Sequence, residues 1–217
     1  LLLIQYLLFS NLLLVFSLIK IKNQIYKVCR IKKLMEKEKN AIILCSGGID
    51  SVTTAYFVRK KLGYKKLIIL FFNYLQKTIK QERKASKNCA KEINAEFREI
   101  NLRWLGEISN SFINKTGKVK TLKKEDLKNS KSESKKYYVP CRNTIFIVYA
   151  VALAESLFIK QNKKYDIFTG FKCEGNENYP DTTKEYVIQI NNLIKISTNG
   201  KFKIIAPLIE MDKEDIL

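Results

Sequence analysis

The 217-residue chain contains no histidine. That absence excludes Ser-His-Asp and Cys-His nucleophilic catalysis, imidazole metal sites and acid–base chemistry by a side chain that titrates near neutrality. Five cysteines, Cys29, Cys45, Cys89, Cys141 and Cys173, are scattered and never form a C-x-x-C pair. No zinc site or disulfide framework can be read from them, and a reducing cytosol is the expected compartment. Carboxylates are also in short supply, with 21 Asp and Glu against 40 Lys and Arg, a formal net charge of +19. Such an excess suits nucleic acid, an anionic membrane or an anionic small molecule. The lysines are spread along the chain and do not alternate with aromatics, so general overuse of lysine is the better reading and direct nucleic-acid binding is not expected. Internal repeats are absent. Hydrophobic content is 46%, enough for the core of one domain of ordinary size.

The most informative stretch is Ala41-Ile-Ile-Leu-Cys-Ser-Gly-Gly-Ile-Asp-Ser51. Ala41 to Cys45 is a short apolar run that reads as a buried strand, and Ser46-Gly47-Gly48 is a turn. From Asp50 an amphipathic segment, Val52 to Leu62, reads as a helix that Gly63 can end. Strand, glycine turn and helix start together aim main-chain N–H groups and the positive end of a helix dipole at an anion. Adjacent glycines let phosphate oxygens approach without Cβ clashes, and Ser46 and Ser51 add hydroxyls. Asp50 repels phosphate unless it caps the helix or holds a metal ion. An ordinary strand-turn-helix with Asp50 as N-cap is the plainer alternative. The loop does not end in Gly-Lys-Ser/Thr, so it is not a Walker loop.

Downstream the pattern alternates. Strands are expected at Lys65 to Asn73, Ala95 to Leu102, Tyr165 to Phe171 and Lys201 to Leu208. Helices are expected at Thr78 to Ile93, Trp104 to Phe112, Asn143 to Lys160 and from a Thr182 or Thr183 cap to Ser197. Trp104, Leu105, Ile108 and Phe112 recur at helical spacing and are assigned to the core. Asn143 to Lys160 is apolar nearly all round and is read as a central buried helix, with Arg142 and Asn143 at its anion-favouring start. Lys115 to Lys136 reads as an exposed loop, either a solvated linker or a lid. The βαβα order predicts an α/β fold: an open, parallel five-stranded sheet with helices on both faces and a site at the strand carboxyl ends.

At the start, Leu1 to Ile19 is apolar to the threshold of a membrane span and Lys20 to Lys39 is basic. No charged residue precedes the apolar run, and Met35 leads directly into the first strand. Residues 1–40 are therefore expected to stand outside the 41–217 domain and outside the native protein, in preference to a membrane anchor. At the other end, Met211 to Leu217 reads as the first turns of a helix with Asp212 as cap, and the expectation is of a truncated domain.

Three motifs, Cys45-Ser-Gly-Gly-Ile-Asp-Ser51, Val139-Pro-Cys-Arg-Asn143 and Asn178-Tyr-Pro-Asp-Thr-Thr-Lys-Glu-Tyr186, resemble those of the 7-cyano-7-deazaguanine synthase family. The first alone resembles the phosphate-binding loop of the wider N-type ATP pyrophosphatase (PP-loop) superfamily; the other two, in that order, are more specific. Phe72-Asn-Tyr-Leu-Gln-Lys77 is similar to the family's Asp-Tyr-Gly-Gln segment, and Ala206-Pro-Leu208 to its last strand. The resemblance implies an adenine nucleotide alpha hydrolase-like, Rossmann-like fold, and an ATP-dependent carbon–nitrogen ligase. Its reaction would turn 7-carboxy-7-deazaguanine and ammonia into 7-cyano-7-deazaguanine through an adenylate, for queuosine or archaeosine biosynthesis. It further implies that Cys45, Ser46, Gly47, Gly48, Ile49, Asp50, Ser51 and Thr53 hold ATP, with Asp50 also on Mg²⁺. Arg142, Asn143, Gly170, Asp181 and Glu185 would take the substrate, with Asp50, Arg142 and Asp181 as the catalytic set. A cytoplasmic homodimer is implied as well. The family usually has glycine at Cys141 and cysteine at Thr182, and carries a C-terminal four-cysteine Zn²⁺ cluster whose ligands are not in this sequence. The alternatives are a tRNA-thiolating PP-loop enzyme, for which an RNA-binding domain or C-x-x-C would be expected, and an inactive nucleotide-binding remnant.

Overall fold

A computed structural model describes residues 39–114, 136–172 and 179–211. The expectations for the N-terminal apolar and basic segments, Met35, Cys29, residues 115–135 of the polar loop, Cys173, Asn178 and the helix capped by Asp212 lie outside the described residues. Five parallel strands, β1 (Asn40–Leu44), β2 (Lys66–Asn73), β3 (Glu96–Asn101), β4 (Tyr165–Phe168) and β5 (Ile204–Ile205), lie in the order β3-β2-β1-β4-β5. The expected sheet is present, with its last two strands shorter than their apolar runs. Beyond Phe168 the ladder continues only as a Thr169 N–H to Ile205 carbonyl bond of 3.0 Å before the chain turns off at Gly170.

Strand alternation divides the core in two. Ile42, Ile68, Leu70, Phe72, Tyr165 and Ile167 point to one face, where they meet α4 (Arg142–Gln161) and α5 (Lys184–Ser197). Ala41, Ile43, Ile69 and Phe168 point to the other, where Ala55, Val58, Cys89 and Ala90 come from α1 (Ile49–Tyr56), its continuation and α2 (Ile79–Glu92). A sheet covered on both faces requires the unbroken apolar runs seen in β1 and β2. Each fully buried Ile, Leu or Phe contributes on the order of 1.5–3 kcal/mol.

Several local readings need correction. The first helix begins at Ile49 with Gly48 as N-cap, so Asp50 stands in its first turn and is not the cap. Its last turn, Phe57–Lys61, is π-helical and closes with the Leu62 N–H on the Phe57 carbonyl; Gly63 then takes φ +72°, as a terminating glycine should. The helix expected over Trp104 to Phe112 is only α3 (Arg103–Glu107), and of its apolar side chains Leu105 is buried while Trp104, Ile108 and Phe112 are exposed. Period alone cannot say which face of so short an element meets the core. Helix α4 lies against the sheet through Ile147, Ala150, Val151, Ala154 and Leu157, but Val148 and Ile159 face outward, so it is central without being enclosed. By length and composition it could cross a membrane; here that apolarity serves the sheet contact. Before α5, the Thr183 hydroxyl accepts from the Tyr186 N–H at 3.0 Å, the cap expected for that helix.

Two left-handed residues deserve comparison with the resembled motifs. Leu75 (φ +62°) stands at the glycine of Asp-Tyr-Gly-Gln, and Cys141 (φ +51°), the residue that caps α4, stands at the glycine of Val-Pro-Gly-Arg-Asn. Both turns demand a backbone that glycine adopts at least cost.

Replacing the exposed Cys141 by glycine is expected to stabilise the protein by up to about 1 kcal/mol, seen as a higher denaturation midpoint at unchanged slope. Gly106→Ala is expected to do the reverse. Its Cβ would lie 2.2 Å from the Tyr74 carbonyl oxygen and 2.8 Å from Leu75 Cβ, and the resulting overpacking should cost about 2–3 kcal/mol in the same measurement.

Candidate active site

Strand order reverses between β1 and β4: the chain runs outward from β1 to β3, then crosses to the other side of β1. A parallel sheet opens a crevice at that point beyond its strand carboxyl ends. A cavity of about 320 Å³ lies there. One wall is the Cys45–Ser51 loop, another the β4 exit at Thr169, Gly170 and Phe171, a third Arg142, Asn143 and Phe146 of α4, and the last Leu70, Phe72, Tyr74, Gln76 and Glu82 from β2 and the start of α2.

The loop is shaped by glycine. At Gly47 (φ +85°) a Cβ would sit 2.5 Å from the Glu82 carbonyl oxygen, so the loop lies directly against α2. At Gly170 a Cβ would fall 2.9 Å from the main chain of Asp50 and Ser51, so the β4 exit lies against the first turn of α1. Ser86 of α2 donates to the Cys45 carbonyl at 3.0 Å and ties down the strand end. The Ser51 hydroxyl donates to the Gly48 carbonyl at 2.8 Å, and the Ser46 and Ser51 hydroxyls are 3.3 Å apart. The first intrahelical bond of α1 runs from the Val52 N–H to the Gly48 carbonyl at 3.0 Å. The N–H groups of Ile49, Asp50 and Ser51 precede it, in the turn whose dipole favours an anion.

Cys45 also lines the cavity. A hydrogen bond from the Cys89 thiol holds it below the ordinary thiol range, against the opposing effect of burial; the same contact pushes Cys89 up.

Opposite the loop, Gln76 is buried and fully engaged. Its Oε1 accepts from the Tyr74 N–H at 2.9 Å, and its Nε2 donates to the Phe72 carbonyl at 2.9 Å and to Glu82 Oε2 at 3.0 Å. The other Glu82 oxygen accepts from Thr78 Oγ1 at 2.5 Å. This knot fixes Tyr74, over whose ring the Arg142 guanidinium lies at 5.8 Å while Nη1 donates to the phenol oxygen at 3.4 Å. Burial pushes the Tyr74 phenol up, opposed by Arg142, so it stays neutral. Phe72 and Phe146 stack with centroids 4.0 Å apart. Beyond Arg142, Tyr138 and Tyr179 stack at 6.3 Å, and burial raises the Tyr179 phenol, with Arg142 opposing and Asp181 reinforcing the shift.

Of the residues expected from the sequence, the structure gathers Cys45, Ser46, Gly48, Asp50, Ser51, Arg142, Asn143 and Gly170 on this cavity. Gly47 shapes the loop from behind. Ile49 points outward at 56% exposure, and Thr53 is not on the cavity wall. Asp181 is buried in a 3₁₀ turn (Pro180–Thr182) next to the cavity, whose wall is formed there by Thr182. Glu185 is exposed on α5 and accepts from Gln189 Nε2 at 2.6 Å, away from the cavity. Sequence reading assigned no role to Glu82, Phe146 or Thr169. Tyr74 and Gln76 lie within the Phe72–Lys77 motif, but nothing local marks Glu82 or Thr169.

A polyphosphate fits the loop, because the first N–H groups of α1 have no acceptor within the helix and Ser46, Gly48 and Ser51 line the cavity there. Asp50 is a single carboxylate beside that position, which suits an Mg²⁺ that keeps several waters and binds phosphate oxygens. Among the described residues no three His, Cys, Asp or Glu side chains gather into a metal site. Cys45 and Cys89 are core residues and Cys141 is exposed elsewhere, so these thiols do not fit a zinc cluster.

Residues 40–217 match the family model described as queuosine biosynthesis protein QueC. The chain is 31% identical over 183 residues to the 7-cyano-7-deazaguanine synthase of Pyrococcus abyssi, covering 82% of this chain and 74% of that one. With the enzyme of the same name from Methanosphaera stadtmanae it shares 35% over 181 residues, covering 82% and 76%. Among solved structures, the U34-tRNA thiolase NcsA from Methanococcus maripaludis aligns over 85% of this chain and 56% of its own at a TM-score of 0.43 and 13% identity. That backbone likeness carries nothing about substrate. With its family model matched from the first strand onward, the chain belongs to the QueC family of 7-cyano-7-deazaguanine synthases.

Proposed function

We propose that the cavity joins 7-carboxy-7-deazaguanine to ammonia in an ATP-driven carbon–nitrogen ligation that ends in the nitrile. The observation that carries this reading is the convergence of the Ser46–Ser51 loop and Arg142 on one cavity at the β1/β4 crevice. The substrate carboxylate attacks the α-phosphorus of ATP and pyrophosphate leaves, which needs no general base because the nucleophile is already an anion. Ammonia then attacks the acyl carbon, AMP leaves and a proton is lost, giving the amide. In a second round the amide oxygen attacks the α-phosphorus of another ATP and pyrophosphate leaves; loss of AMP and of both protons on nitrogen completes the nitrile. The absence of histidine is compatible with each step.

Catalysis of this kind is positioning and charge stabilisation. In this reading the N–H groups at the start of α1, with Ser46 and Ser51, cradle the phosphates, and Ile49 and Thr53 contribute only through the turn's backbone. Arg142 stabilises charge on the α-phosphoryl group, aimed by Tyr74, while Asn143 and the Gly170 backbone border the acid substrate. Asp181 accepts from the N1–H and amino edge of the deazaguanine, a role that its burial favours over the exposed Glu185. Mg²⁺ held by Asp50 and phosphate oxygens would supply further charge neutralisation when bound. In this reading the protein is a cytoplasmic small-molecule enzyme that works as a homodimer. The thiolase alternative lacks a C-x-x-C pair.

Incubation of the protein with ATP, Mg²⁺, ammonia and the carboxylic acid is expected to yield AMP and nitrile by mass spectrometry; adenylate or amide without nitrile would overturn the complete reaction. Asp50→Ala is expected to lower turnover by at least about 100-fold at unchanged circular dichroism, and a variant that turns over normally would remove Asp50 from the mechanism.

A further inference from the structure

Thr169 is 1% exposed, yet its hydroxyl has no hydrogen-bond partner among the described residues. Its main chain is satisfied, since the N–H donates to the Ile205 carbonyl at 3.0 Å. A buried hydroxyl left without a partner destabilises the fold that holds it. Such a cost is tolerated where something outside the fold completes the bond.

The location shows what that is. Thr169 follows directly on β4, and β4 pairs with β1 through Phe168 beside Ile43. Tyr165 and Ile167 face α4, so strand alternation turns Thr169 to the same side, where it joins Leu44, Leu70, Phe72 and Phe146 on the cavity wall. These neighbours are apolar and cannot satisfy a hydroxyl. The next residue, Gly170, lies against Asp50 and Ser51 at the start of the phosphate loop. One step from that loop, this part of the cavity wall therefore sets a buried hydroxyl among apolar side chains, an arrangement by which ligand sites orient a mostly flat, apolar ring system.

We propose that the Thr169 hydroxyl hydrogen-bonds the nucleotide whose phosphates lie on the Ser46–Ser51 loop, and that it stays unpaired until that ligand arrives. This rests on the nucleotide-binding reading of the cavity and adds a contact to it. Thr169 is a binding residue here, distinct from the residues assigned to charge stabilisation.

The test exploits a sign difference. Thr169→Val keeps the shape and removes the hydroxyl, so without ligand the thermal midpoint should stay equal to wild type or rise. ATP with Mg²⁺ should bind this variant about tenfold more weakly by calorimetry, while Thr169→Ser should stay within about threefold of wild type. A hydroxyl serving only the fold gives the opposite pattern, a lower midpoint with unchanged ATP affinity, and overturns the proposal. Weakened binding of 7-carboxy-7-deazaguanine with ATP binding intact would also overturn it, by assigning the contact to the acid substrate. Wild-type protein that binds no ATP would instead remove the nucleotide reading itself, and this contact with it.

Discussion

The site depends on close approach of main chain to main chain at the β1/β4 boundary. Gly170 brings the β4 exit to within about a carbon atom's width of Asp50 and Ser51, and Gly47 brings the phosphate loop equally near α2. Backbone N–H groups can converge on one small volume only if no Cβ atoms stand between the segments that carry them. Sheet order supplies the rest. Because β1 is central and flanked by β2 and β4, its carboxyl end is the one place where loops from both halves of the chain meet.

Around that constraint the side chains form two layers of support. Gln76 gathers three partners and holds Tyr74 and Glu82 in place, and Tyr74 in turn carries the Arg142 guanidinium on its ring and hydroxyl. Arg142 itself enters through Cys141, a residue held in a left-handed conformation at the start of α4. The positioning of the cation thus runs through backbone turns at Leu75 and Cys141, both of which carry a side chain where glycine would be easier. Both strained turns border the proposed chemistry, in keeping with strain collecting at working sites.

Polar satisfaction differs between residues on the cavity wall. Asn143 and Gln76 are buried with partners, whereas the buried Thr169 hydroxyl has none among the described residues. Cys45 presents another contrast, since its sulfur is engaged by Ser51 and Cys89 from behind the loop while the residue forms part of the wall.

Local sequence determined the alternating strands and helices, because unbroken apolar runs such as Leu67–Phe72 suit only a sheet covered on both faces. It also determined the phosphate loop, whose strand, glycines and helix start are contiguous, and it placed Arg142 and Asn143 at a helix entry. It misjudged Trp104, Ile108 and Phe112, because helical period says that residues share a face without saying which face meets the core. Asp50 as cap failed for a similar reason: the cap is set by where the chain leaves extended geometry, at Gly48, and not by the best capping side chain nearby. Glu82 and Thr169 became site residues only in three dimensions. Glu82 sits on the cavity because Gln76 reaches it across a turn, and Thr169 because β4 inserts beside β1. The first is a local contact that no periodic pattern announces; the second is a product of strand order and register, which the whole fold decides.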